Sequence, residues 1–121
     1  MSLNNFALLA TTTYGQASGN YDGSSQDFHG NPVIAADYYS GYGSIQTVNI
    51  SVTDFVGTVH LEATLNDLAD QAAWFEVDTF VSELLPTTEI RPVTVLGNFV
   101  YMRVRVTGFD AGTINSITIA Y

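Results

Sequence analysis

The chain has 121 residues, the length of one domain (1–121) with a core of its own, and carries a net charge of −9 from twelve acids against three arginines and no lysine. That balance argues against nucleic acid and against an anionic membrane surface as partners, since both need clustered cations. With no cysteine, disulfides, thiolate nucleophiles and thiolate metal sites are excluded.

In chain order, Phe6 to Thr13 reads as a first strand and Pro32 to Tyr38 as a second. Gly15 to Asn31 and Ser40 to Gly43, rich in Gly, Ser, Asn, Asp and Tyr, read as long loops. From Ser44 to Thr53, Val48, Ile50 and Val52 alternate with Asn49, Ser51 and Thr53. From Thr58 to Leu65, Val59, Leu61, Ala63 and Leu65 alternate with His60, Glu62 and Thr64, a half-buried strand with one wet face. Asn66 to Gln71 is a polar loop, and Ala73 to Phe80 is a strand with Phe75 and Val77 inward. Pro86 and Pro92 mark a turn and an edge segment, because proline has no N–H for a central ladder. Val93 to Leu96 and Phe99 to Thr107 flank Gly97-Asn98, which predicts a hairpin. Val100, Met102, Val104 and Val106 form one face of the latter run; Phe99, Tyr101, Arg103 and Arg105 form the other. Thr113 to Tyr121 closes the pattern.

A short motif occurs twice, as Val52-Thr53-Asp54-Phe55-Val56-Gly57-Thr58-Val59 and Val106-Thr107-Gly108-Phe109-Asp110-Ala111-Gly112-Thr113-Ile114. Each copy ends a β run, places a Phe in a corner and uses Gly to begin the next run. Corners of this kind suit a two-sheet sandwich whose core is plugged by the aromatic. The expected fold is all-β: an antiparallel, jelly-roll-like β-sandwich of about eight strands with long N-terminal loops.

The chemistry-bearing side chains are few. His60 falls mid-strand on the wet face and reads as a solvated residue. His29 lies near Ser24, Ser25 and Asp27, but no nucleophile elbow accompanies it. Glu62 with Glu76 or Asp78 is a conceivable glycosidase pair, and isolated acids on a wet sheet face equally keep a sheet soluble. No enzyme activity is expected and no cofactor, with calcium the one ion for which ligands exist: Asp22, Asp27 and Asp37 in the first third, Asp67 and Asp70 in one later loop.

Tyr21, Tyr38, Tyr39 and Tyr42 stand among Ser, Gly and Asn, and Trp74 starts a later strand. Such rings suit either a subunit interface or sugar stacking, and the interface is the preferred reading. Arg103 and Arg105 share a strand face. Two kinds of partner suit them equally: carboxylates of a neighbouring subunit, or Glu62, Glu76 or Asp78 of the same sheet.

Several stretches carry a resemblance: Thr11-Thr12-Thr13-Tyr14-Gly15, Ser18-Gly19-Asn20-Tyr21-Asp22-Gly23, Gly43-Ser44-Ile45-Gln46-Thr47-Val48, Ala73-Trp74-Phe75, Gly97-Asn98-Phe99-Val100 and Ala111-Gly112-Thr113-Ile114-Asn115-Ser116. Over most of its length the chain resembles small virion structural proteins of tailed phages, particularly those infecting cyanobacteria. The resemblance implies a tail- or fibre-associated accessory or a capsid decoration subunit, a homo-oligomer (a trimer is favoured) contacting other virion proteins. It transfers no functional residue. Phe6 to Ala10 is too short for a signal peptide and has no basic flank, so synthesis in the host cytoplasm and residence in the virion are expected. The alternative is a carbohydrate-binding host-adhesion module.

Overall fold

A computed structural model describes residues 5–35, 45–66, 73–97 and 99–121, with the side chains of 83 and 84 left aside. Seven antiparallel strands are described: β1 (Asn5–Leu9), β2 (Thr12–Thr13), β3 (Phe28–His29), β4 (Val33–Ile34), β5 (Ile45–Thr64), β6 (Phe75–Leu96) and β7 (Tyr101–Ala120). They form one sheet in the order β1-β7-β5-β6, and β2, β3 and β4 also pair with β7. The all-β antiparallel class is the expected one. The runs ending at Thr53 and starting at Thr58 prove to be a single strand, as do those on either side of Phe109.

These long strands fold over. Tyr121 Oη donates to the carbonyl of Ile34 at 2.9 Å, and Ile34 pairs with Tyr101 at the opposite end of β7. A straight strand of that length would hold its ends about 60 Å apart. Gly30, bonded through its N–H to Val104, lies so close to β1 that a Cβ there would stand 2.4 Å from the Leu8 carbonyl. One leaf therefore contains β1, β2 and residues 45–53, 89–96 and 113–120. The other contains β3, β4 and residues 57–64, 75–82 and 101–107. Between them lie Val48, Ile50, Val59, Leu61, Met102, Val104, Ile117 and Ile119, all essentially inaccessible. One sheet doubled over itself is compatible with the expected sandwich.

The bend is where the two motif copies meet. They do not sit at separate corners but pair with each other: Val52 faces Ile114, Thr53 faces Thr113, Thr58 faces Thr107 and Val59 faces Val106, with register shifts in between. The rings of Phe55 and Phe109, both wholly buried, lie 5.8 Å apart. Extra residues in paired strands sharpen twist and bending, which is how a flat ladder turns a corner. Asp54 (φ +52°) and Gly112 (φ +88°) take the left-handed conformations the bulge needs.

The Gly97-Asn98 hairpin does not form. β6 and β7 lie on opposite sides of β5, where Leu96 pairs with Ile45 in one leaf and Tyr101 with Thr64 in the other. The connection crosses between leaves. It is held by Gln46 Nε2 donating to the carbonyls of Val95 and Gly97 at 3.1 Å each, and by Val100 N–H to Thr64 O at 3.0 Å. Pro92 sits on β6, the sheet's outer strand, as its missing donor requires.

The first leaf's outer face is built from rows across four strands. Asn5, Ala120, Thr47 and Thr94 make one row; Ala7, Thr118, Asn49 and Pro92 the next; Ser116, Ser51 and Ile90 a third. Period-two alternation puts these small side chains outward while Val48, Ile50, Ile117 and Ile119 go inward.

Candidate functional site

The outer face of the second leaf brings together ionisable side chains from three strands. Pairing sets His60 opposite Arg105 and Glu62 opposite Arg103 on one side, and Glu62 opposite Glu76 on the other. Glu62, only 7 % exposed, accepts from Arg103 Nε at 2.8 Å through one oxygen and from Arg105 Nε at 3.1 Å through the other. The Arg103 guanidinium also lies 4.4 Å above the Trp74 ring, a cation–π contact that orients it. His60 joins Glu76 through Nδ1 and Thr107 Oγ1 through Nε2. The bond from His60 holds the Glu76 carboxyl below its ordinary range, against a smaller opposing effect of burial.

His60, expected to be solvated, is instead the middle of a three-group chain. The arginines take the intrachain option, sharing one carboxylate. A general acid needs a carboxyl held protonated near neutrality, whereas Glu76 is moved in the opposite direction. The arrangement fixes the orientation of its members across three strands. Removing its centre has a definite cost. Glu62→Gln is expected to destabilise by about 1–2 kcal/mol, below the value for a fully buried pair because Arg105 is part-exposed. Glu89→Gln, which breaks the exposed Glu89–Arg91 pair, is expected to stay within about 0.5 kcal/mol. Urea denaturation of both variants checks the contrast.

Tyr21 lies inside the molecule and not among exposed rings. Read as a surface ring, it is 2 % exposed and packs on Phe28 (5.0 Å) and Phe109 (5.2 Å), with its hydroxyl accepting from Gly15 N–H at 3.0 Å. The Ser18–Tyr21 bridge turns the loop back under the corner, so glycine-rich composition there signals tight turning and not exposure. Trp74 is half-buried with Arg103 over its ring. Tyr38, Tyr39 and Tyr42, together with Asp37, Asp67 and Asp70, lie outside the described residues.

Asp22 is used as a turn cap. Its Oδ1 accepts from Ser24 N–H (2.9 Å) and Ser25 N–H (2.7 Å), and Oδ2 from the Ser25 hydroxyl (2.7 Å). Asp27 accepts from Gly108 N–H at 3.1 Å, and a His29 ring nitrogen lies 3.2 Å from the Gly30 carbonyl. The Ser24, Ser25, Asp27 and His29 set is therefore not joined as a relay. Among the described residues no group of three or more His, Cys, Asp or Glu is gathered as for a metal ion. The two backbone N–H bonds and the Ser25 hydroxyl lower the Asp22 carboxyl from its ordinary 3.8 to about 2. A depressed folded value stabilises above the ordinary pKa, and the benefit fades as pH falls through about 2. Carbon-13 NMR titration is expected to find this carboxyl still ionised at pH 3, and Asp22→Asn is expected to return Ser25 to faster amide exchange.

No protein-family model matches the chain, and no match is found among curated proteins. Among the described residues no helix is long and apolar enough to cross a membrane.

Proposed function

We propose that this chain is a non-enzymatic structural subunit of a tailed-phage particle, a tail- or fibre-associated accessory or a capsid decoration protein. The observation that supports this reading is how its chemically capable side chains are employed. Glu62, Arg103 and Arg105 are bound to one another, His60 is held between Glu76 and Thr107, and Asp22 and Asp27 cap backbone. Apart from the local Asp22 turn, each bond fastens one segment to another, which serves a rigid building block. The doubled sheet with its aromatic corner has the same character, and the sequence resemblance supplies the setting.

Quantitative mass spectrometry of purified particles from the source virus, scaled to the major capsid protein, tests the reading. Stoichiometric presence is expected. A copy number that tracks the capsid lattice places the subunit on the head, and a much lower one places it on the tail or fibres. Absence from the particle overturns the proposal.

A further inference from the structure

In an acidic chain, one broad face carries no charge among the described residues. The rows on the outer face of the first leaf contain only Thr, Ser, Asn, Ala, Pro and Ile, and none of them titrates. Among the described residues the nearest acidic side chain, Glu89, is paired with Arg91 at 2.6 Å. Elsewhere, Glu62 and Glu76 stand on the opposite leaf, Asp54 and Asp110 at the corner, and Asp22 and Asp27 in the N-terminal loops. Along the β6 margin this neutral face turns apolar, with Ile45 58 %, Leu96 69 % and Ile90 70 % exposed.

We infer that this face is where a second copy of the chain docks, sheet against sheet, as a two-fold pair in place of the trimer favoured from the sequence. The inference rests on the reading of the chain as an assembly subunit and names its contact surface. Electrostatics selects the occupant. Two chains of net charge −9 repel, and like charges set against each other cost several kcal/mol in an interface. This face alone, among the described strands, allows two copies to meet without opposing carboxylates. A two-fold contact is self-complementary, so an uncharged patch meets an uncharged patch.

Size agrees with this. Four strands of up to nine residues span about 30 Å by 19 Å, so a pair would cover about 1,100 Å² in total, above the ~1,000 Å² of a specific interface. Small side chains such as Ala7, Ser51 and Ser116 let stacked sheets approach to the usual ~10 Å.

Sedimentation velocity on the full chain over a wide concentration range tests the inference, with Asn49→Asp at the centre of the face and Leu96→Glu at its margin. The parent is expected to sediment as a pair of 13.1 kDa chains. Asn49→Asp, near the two-fold axis, sets a carboxylate close to its own mate, and Leu96→Glu forces one against the uncharged surface of the second copy; each is expected to weaken pairing about tenfold or more, with unchanged circular dichroism. Thr79→Glu, on the other leaf, is expected to leave pairing intact. If Asn49→Asp loses its fold, Leu96→Glu, which replaces a largely exposed side chain, decides. A parent that is monomeric throughout, or a pair that survives Leu96→Glu and is lost with Thr79→Glu, overturns the assignment. A monomeric chain still found in particles removes this surface and leaves the structural role standing; a pair formed by a chain absent from particles does the reverse.

Discussion

Gly112→Ala is expected to abolish cooperative folding. A Cβ at this position would stand 2.2 Å from the Asp54 carbonyl oxygen, 2.4 Å from its carbon and 2.6 Å from the Thr53 carbonyl oxygen. All three are backbone atoms of the paired motif, so no side chain can swing aside. The left-handed backbone alone (φ +88°) adds about 1–2 kcal/mol for alanine. The collision adds more, and a total above about 4 kcal/mol rivals the 5–15 kcal/mol stability of an ordinary domain. Gly108 separates the two contributions. It has φ +63° with no atom within 4 Å of a would-be Cβ, so Gly108→Ala is expected to cost only about 1–2 kcal/mol. Thermal unfolding followed by circular dichroism reads both. Equal effects at the two positions would show that conformation, and not the close approach of strands, governs the corner.

Phe109→Ala is expected to cost about 3–5 kcal/mol and to lower the melting temperature by about 10–20 °C. The ring has no exposure and lies 5.2–5.8 Å from the rings of Tyr14, Tyr21, Phe28 and Phe55. Its removal opens a void bordered by both leaves and by the N-terminal loop, none of which can close on it independently. Phe55→Ala is expected to have a similar effect. Because the two rings border the same space, the double variant should cost less than the sum, a coupling of about 0.5–1.5 kcal/mol in a double-mutant cycle. Strict additivity would mean that the motif copies plug separate cavities. Tyr14→Ala, at a ring still 47 % exposed, is expected to cost about 1 kcal/mol.

The difference between what the sequence discloses and what it conceals follows from the range of each interaction. Period-two alternation is local, so the inward sets Val48, Ile50 and Val52 and Met102, Val104 and Val106 are readable residue by residue. The motif likewise announces a buried Phe, because Phe55 and Phe109 sit between a β run and a glycine. Partner choice is not local. A Gly-Asn step between two apolar runs looks the same whether the runs pair with each other or, as here, with β5 on either side. The spacing of Arg103 and Arg105 puts them on one face, but only the pairing of β7 with β5 delivers Glu62 between them. Tyr21 is concealed for another reason. The turns around Gly15, Gly19 and Gly23, all at positive φ, fold the ring inward, and no residue type records that direction.

The position of β7 bears on how the molecule is made. Five of the six other strands pair with it, and β2, β3 and β4 pair with nothing else among the described strands. On the ribosome, residues 5–35 emerge long before Tyr101–Ala120 exists. At about 5–20 residues per second, the ~70 residues between β4 and β7 take roughly 3–14 s, longer than many small β domains need to fold. The N-terminal strands therefore wait without their strand partner, their backbone hydrogen-bonded to water, while β5 and β6 can already zip together. Completion of the sheet is expected to come late, and a nascent chain stalled before Tyr101 is expected to be bound by chaperones through that waiting segment.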